Sequence, residues 1–91
     1  MTEFKIAEFK LPIQNEYILS LPVGSKILSV AEKNDELVVY AMIIETTETM
    51  SKMDVTIILK ETGGVISTNT KYIGSVKLYK NKITFHVFIE E

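Results

Sequence analysis

Lys71-Tyr72-Ile73-Gly74-Ser75-Val76-Lys77-Leu78-Tyr79, then Lys80-Asn81, then Lys82-Ile83-Thr84-Phe85-His86-Val87-Phe88-Ile89-Glu90, is the stretch that decides the fold class. Both long segments alternate with a period of two and are rich in β-branched and aromatic residues. The polar segment between them contains Asn. This pattern predicts a β-hairpin with one face of each strand against a core and the turn in solvent.

The same reading extends toward the N-terminus. Phe4 to Phe9 alternates loosely and stops at Leu11-Pro12, and Tyr17 to Leu21 stops at Pro22, because Pro lacks a ladder donor and restrains the residue before it. The two Leu-Pro junctions mark two strand ends, and nothing else around them repeats. After Val23-Gly24-Ser25, the segment Lys26 to Glu32 leads through Lys33-Asn34-Asp35 into an apolar run, which is a second hairpin signal. Ile27, Val30 and Ala31 also fall at helical spacing, so a short helix over Lys26 to Lys33 is the alternative; the β-branched content and the following turn favour a strand.

From Leu37 to Ile44 both alternating sets are apolar, which predicts a strand covered on both faces. The second cover is either another subunit or the other layer of a two-layer fold. Glu45 to Ser51 reads as a loop, Met53 to Leu59 as an alternating strand, and Glu61 to Thr70 as a loop. Gly63-Gly64 near its start permits positive φ or close approach of backbone to a ligand. The sum is one all-β domain over residues 1–91. Its expected form is a small sandwich or partly closed barrel of about seven short, mostly antiparallel strands.

Composition removes several function classes. With 46% hydrophobic and 24% charged residues over 91 positions, the chain is expected to fold as one small domain, of a size at which self-association helps, so a homo-oligomer is expected. All ten basic residues are Lys, against twelve acidic ones. Without the planar Arg fork, duplex nucleic acid is a poor partner. The absence of Cys removes disulfides, thiolate nucleophiles and Cys-based zinc sites. The longest apolar run is far shorter than the roughly 18 residues of a membrane-spanning helix. Met1-Thr2-Glu3-Phe4-Lys5 is unlike the start of a secretory leader, so no membrane partner is expected.

Leu21-Pro22-Val23-Gly24-Ser25-Lys26-Ile27-Leu28-Ser29-Val30, Val39-Tyr40-Ala41-Met42, Tyr72-Ile73-Gly74-Ser75-Val76 and Phe85-His86-Val87-Phe88, in that order, resemble a family of small phage and prophage proteins of uncharacterised function. The resemblance runs from about Phe9 to the C-terminus and rests on order and spacing more than on any single piece. Two departures stand out. Glu61-Thr62-Gly63-Gly64-Val65-Ile66 replaces a Gly-Thr-Gly-His-Pro-Ile loop, so any contact made by that loop His does not carry over. Tyr40 replaces the more usual Trp, which keeps a stacking face and adds a hydroxyl. The resemblance implies a viral β-protein in the cytoplasm of the bacterial host and brings no established reaction.

Each chemical candidate has a plainer alternative. His86 is the sole imidazole; a general base or metal ligand is conceivable, but without a second His or a Cys the better reading is a hydrogen-bonded strand histidine. No catalytic residue, metal or cofactor is expected, and the protein is read as a non-enzyme. Gly63 and Gly64 either present backbone N–H groups to an anion or simply bend the chain. Lys71, Lys77, Lys80 and Lys82 with Tyr72 and Tyr79 suggest an anion site; the alternative, edge lysines that block aggregation, is the better reading for at least Lys80 and Lys82. Three functions follow. The leading one, on family analogy, is a sponge for a cyclic or ADP-ribose-type nucleotide signal of host antiviral defence, with a pocket where subunits meet. Tyr40 or Tyr72 would stack on the base, and Lys71, Lys77 and backbone amides would meet phosphate. The others are a protein-protein inhibitor of a host factor and a structural or assembly protein of the phage.

Overall fold

Seven strands, all paired antiparallel, make two sheets in a computed structural model that describes residues 3–45, 51–67 and 69–90. They are β1 (Glu3–Leu11), β2 (Glu16–Pro22), β3 (Lys26–Lys33), β4 (Glu36–Glu45), β5 (Lys52–Glu61), β6 (Thr70–Leu78) and β7 (Ile83–Glu90). The first sheet has the order β1-β4-β3 and the second β2-β5-β7-β6. The domain is therefore a sandwich and not a closed barrel. No helix occurs among the described residues, so Lys26 to Lys33 is a strand. Most of the expected Glu45–Ser51 loop lies outside the described residues.

The punctuation residues act as expected. β1 ends at Leu11, immediately before Pro12, and β2 ends at Pro22, whose carbonyl accepts bonds from the Ser25 amide at 3.1 Å and the Ser25 hydroxyl at 2.6 Å. Asn34 and Asp35 take φ of 55° and 62°, so β3 and β4 are joined by a two-residue turn of the type whose twist suits a hairpin. The β6–β7 turn is wider than the predicted Lys80-Asn81 pair. Pairing stops at Leu78–Ile83, and Tyr79, Lys80 and Asn81 all adopt left-handed φ of 56°, 58° and 66°. The Lys80 amide donates to Asp35 Oδ1 at 3.0 Å, tying the two hairpin ends together across the sheets. Left-handed φ costs a non-glycine residue about 1–2 kcal/mol, and glycine loses more chain entropy on folding. Lys80→Gly is expected to stabilise by about 0.5–1 kcal/mol net, read as a higher thermal midpoint.

The core lies between the sheets. Leu11, Ile27, Leu37, Val39 and Ala41 from the first meet Leu19, Leu21, Ile57, Leu59, Val76, Leu78 and Val87 from the second. Each Leu, Ile or Val among them, fully buried, contributes roughly 1.5–3 kcal/mol. No polar or charged residue is buried among those described.

β4 is apolar on both faces, as read from sequence. Leu37, Val39 and Ala41 point inward; on the outer face Val38 is fully buried between its cross-strand partners Lys10 and Ala31, while Tyr40, Met42 and Ile44 are half-buried. Charged pairs finish this outer face at one end, with Lys10 Nζ 2.9 Å from Glu36 and Lys33 Nζ 3.2 Å from Glu8. The hydrogen bond to Glu36 holds the Lys10 amine above its ordinary pKa.

Two bulges adjust the alternation. The register of β3 against β4 shifts between Ile27 and Ser29, and that of β6 against β7 shifts between Tyr72 and Gly74. Each inserts one residue, so side chains three apart share a face. The first puts Ile27 and Val30 together on the inner face, and this spacing is what resembled a helix in the sequence. β3 and β6 lie side by side where the two sheets meet, and there Gly74 faces Val30 across the sheets.

Candidate functional site

The second bulge builds the most distinctive polar arrangement of the chain. Strict alternation would send Tyr72 and Ser75 to opposite faces; the extra residue brings both to the outer face of the second sheet, where Tyr72 pairs with Phe88 and Ser75 with His86. The Tyr72 hydroxyl lies 2.7 Å from Ser75 Oγ, which lies 2.9 Å from His86 Nδ1. His86 Nε2 lies 2.8 Å from Thr62 Oγ1. Four side chains from β6, β7 and the end of β5 thus form one hydrogen-bonded chain. A neutral imidazole donates at one nitrogen and accepts at the other, so the chain has a direction set by the tautomer; a protonated one donates to both hydroxyls. His86 is a hydrogen-bonded strand histidine, as its plainer reading expected.

Around this chain the same face offers a ring and cations. The Tyr72 ring is 55% exposed and stands edge-on to Phe88, with centroids 5.5 Å apart. Lys60 is the cross-strand partner of His86 on β5, and Lys77 is the partner of Thr84 on β6.

Thr62 links this face to a cleft. Glu61-Thr62-Gly63-Gly64 is a tight turn closed by the Gly64 amide donating to the Glu61 carbonyl at 2.9 Å. Gly63 sits at its third position with φ of 95°, the conformation that a type II turn requires there and that glycine adopts without strain. The pair is therefore a bend first. It also walls an open cleft of about 620 Å³ lined by Gln14, Asn15, Lys60, Thr62 and Phe85 among others. A smaller cleft of about 370 Å³, sharing Ile13 with the first, lies at the C-terminal end of β1, where Lys10 and Glu36 already pair.

The structure thus gathers Tyr72, Lys77 and His86 on one face, with Gly63 and Gly64 at its border. Lys71 does not join them: it is exposed one position along from Tyr72, opposite the core-packed Ile89, and so lies on the other face of β6. Tyr40 does not join them; it is half-buried on the outer face of the other sheet, paired with Glu8 and Ser29. Sequence reading missed Thr62, Ser75, Phe88 and Lys60. Thr62 was hidden by a turn, Ser75 and Phe88 by the bulge that shifts the β6–β7 register, and Lys60 by the pairing of β5 with β7.

A family profile, Domain of unknown function DUF7352, matches residues 3–91. The chain belongs to the DUF7352 family. No curated protein and no solved structure matches it. DUF7352 membership therefore brings no reaction, and the site must be read from its own chemistry. No group of acidic or imidazole side chains arranged to hold a metal occurs among the described residues, and no described helix is long and apolar enough to cross a membrane.

Proposed function

We propose that this protein is a non-enzymatic binding protein that captures a small anionic ligand bearing a planar ring on the outer face of the second sheet. The ligand class is a nucleotide signal of the cyclic or ADP-ribose type. The phage-like sequence pattern suggests a viral protein that sequesters a host defence messenger stoichiometrically. The observation that carries the reading is the exposed Tyr72 side chain, fixed at its hydroxyl by Ser75, beside Phe88 and on the same sheet face as Lys60 and Lys77. Stacking accepts any base, and lysines meet phosphate as point charges.

Catalysis fits less well. Ser75 and His86 are in contact like a nucleophile and its base, but the second imidazole nitrogen faces the Thr62 hydroxyl where a triad places a carboxylate. Among the described residues no carboxylate is paired with His86.

A thermal-unfolding scan against cyclic di- and trinucleotides and ADP-ribose derivatives tests the proposal, since a ligand at 100 times its Kd adds about 2.7 kcal/mol of stability. One compound is expected to raise the midpoint. Tyr72→Ala is expected to weaken that binding roughly 5- to 150-fold, from the loss of about 1–3 kcal/mol of stacking. Lys77→Ala is expected to weaken it with salt dependence while melting like the parent, and Lys71→Ala, on the other face of β6, is expected to leave it unchanged. Absence of any shift overturns the nucleotide class and moves the reading to a protein partner.

A further inference from the structure

The outer face of the first sheet carries a contiguous apolar patch that has no counterpart in the core. Phe4 pairs with Ile44, and Ile6 pairs with Met42, across β1 and β4. Phe4 is 52% and Ile6 70% exposed, and Tyr40 extends the patch along β4. Beyond it the face ends in Lys10–Glu36 and Lys33–Glu8, two ion pairs that neutralise each other within the face, with Lys26 at the β3 rim.

We infer that a second copy of this chain covers this face, in a two-fold arrangement that stacks first sheet on first sheet. The charge pattern decides the occupant. In an isologous contact the same patch meets itself, so a face dominated by one sign would repel its mate, and a face already paired in charge does not. A strongly charged partner such as nucleic acid would have to break those pairs and would gain no cationic surface. The apolar end supplies the attraction, with sheets stacking about 10 Å apart as they do inside a sandwich. A three-stranded face at about 4.8 Å between strands and about 3.3 Å per residue offers on the order of 400 Å² of projected area. That is about half the footprint of a standard partner surface, so the dimer is of the dissociating kind. This inference stands independently of the ligand reading, because ligand capture uses the opposite sheet.

The test is sedimentation velocity on the full chain up to about 100 µM, where a contact of Kd near 10 µM is mostly formed. A concentration-dependent dimer is expected. Ile6→Glu and, separately, Phe4→Lys are expected to weaken it at least tenfold, with unchanged circular dichroism because both side chains are largely exposed. Ile18→Glu, 58% exposed on the outer face of the second sheet, is expected to leave it intact. A monomer at the highest concentration overturns the inference. So does a dimer that ignores Ile6→Glu, one that dissociates with Ile18→Glu, or a monomeric chain whose patch is instead occupied by a host protein.

Discussion

Gly74→Ala is expected to lower the thermal midpoint by roughly 12–24 °C and to dismantle the polar chain on the second sheet at the same time. Gly74 has φ of 154°, a backbone that L side chains rarely adopt, and a methyl added there would lie 2.8 Å from Val30 Cγ2 on β3. Strained backbone of this kind costs about 1–3 kcal/mol. Overpacking at a close contact costs a further 1–3 or so. The two sum to about 2–6 kcal/mol; toward the lower end, about 3 kcal/mol at roughly 4–8 °C per kcal/mol for a domain of this size gives the shift above. The double variant Gly74→Ala/Val30→Ala separates the two causes. Removing the Val30 methyls is expected to restore the steric part and leave the backbone part, so complete recovery would show that the φ angle carries no strain. Because the same glycine follows the inserted Ile73, relaxing the bulge returns Tyr72 and Ser75 to opposite faces. Loss of ligand binding by Gly74→Ala beyond that of Tyr72→Ala would mark this second effect.

The bulges also mark where the sequence stops being legible. Alternation revealed the β6–β7 hairpin, the β3–β4 hairpin, the double-sided β4 and the strand ends at Pro12 and Pro22, because a period of two and a missing amide are local properties. Ile27 with Val30 and Tyr72 with Ser75 share faces at a spacing of three, and no local property of these stretches distinguishes a bulge from a helical turn or from slack alternation. Tyr79 continued the alternation of β6 on paper. In the fold it leaves the strand with left-handed φ and packs edge-on against Phe85, with centroids 6.4 Å apart. At the site, Tyr72 and His86 stand out in the sequence as an aromatic and the sole imidazole of one hairpin, but only the bulge puts Tyr72 on the outer face. Thr62 and Lys60 reach them only because β5 lies beside β7, a pairing between segments about 25 residues apart in sequence that is fixed by packing and leaves no short-range trace.

Ile57→Ala is expected to cost about 2–5 kcal/mol, and Ile58→Ala, one residue along the same strand, only about 1 kcal/mol. Ile57 is fully buried at the centre of the sandwich, with Tyr17 and Ile89 as its cross-strand partners, so truncation leaves a cavity that two rigid sheets cannot close. Ile58 is half-buried on the outer face beside Phe88, and solvent replaces what the shorter side chain gives up. Against a total stability of about 5–15 kcal/mol for such a domain, the first change removes a large fraction and the second a small one. Denaturant titration with a shared slope reads the difference directly. The comparison bears on function as well as folding. Ile58 borders the Tyr72–Phe88 pair, so a small cost at Ile58 means that this face is open to a ligand, and Ile58→Ala then alters ligand affinity more than stability. Equal costs at both positions would mean that something covers the outer face of the second sheet as thoroughly as the core covers Ile57, and Tyr72 would be part of a buried interface rather than a binding surface.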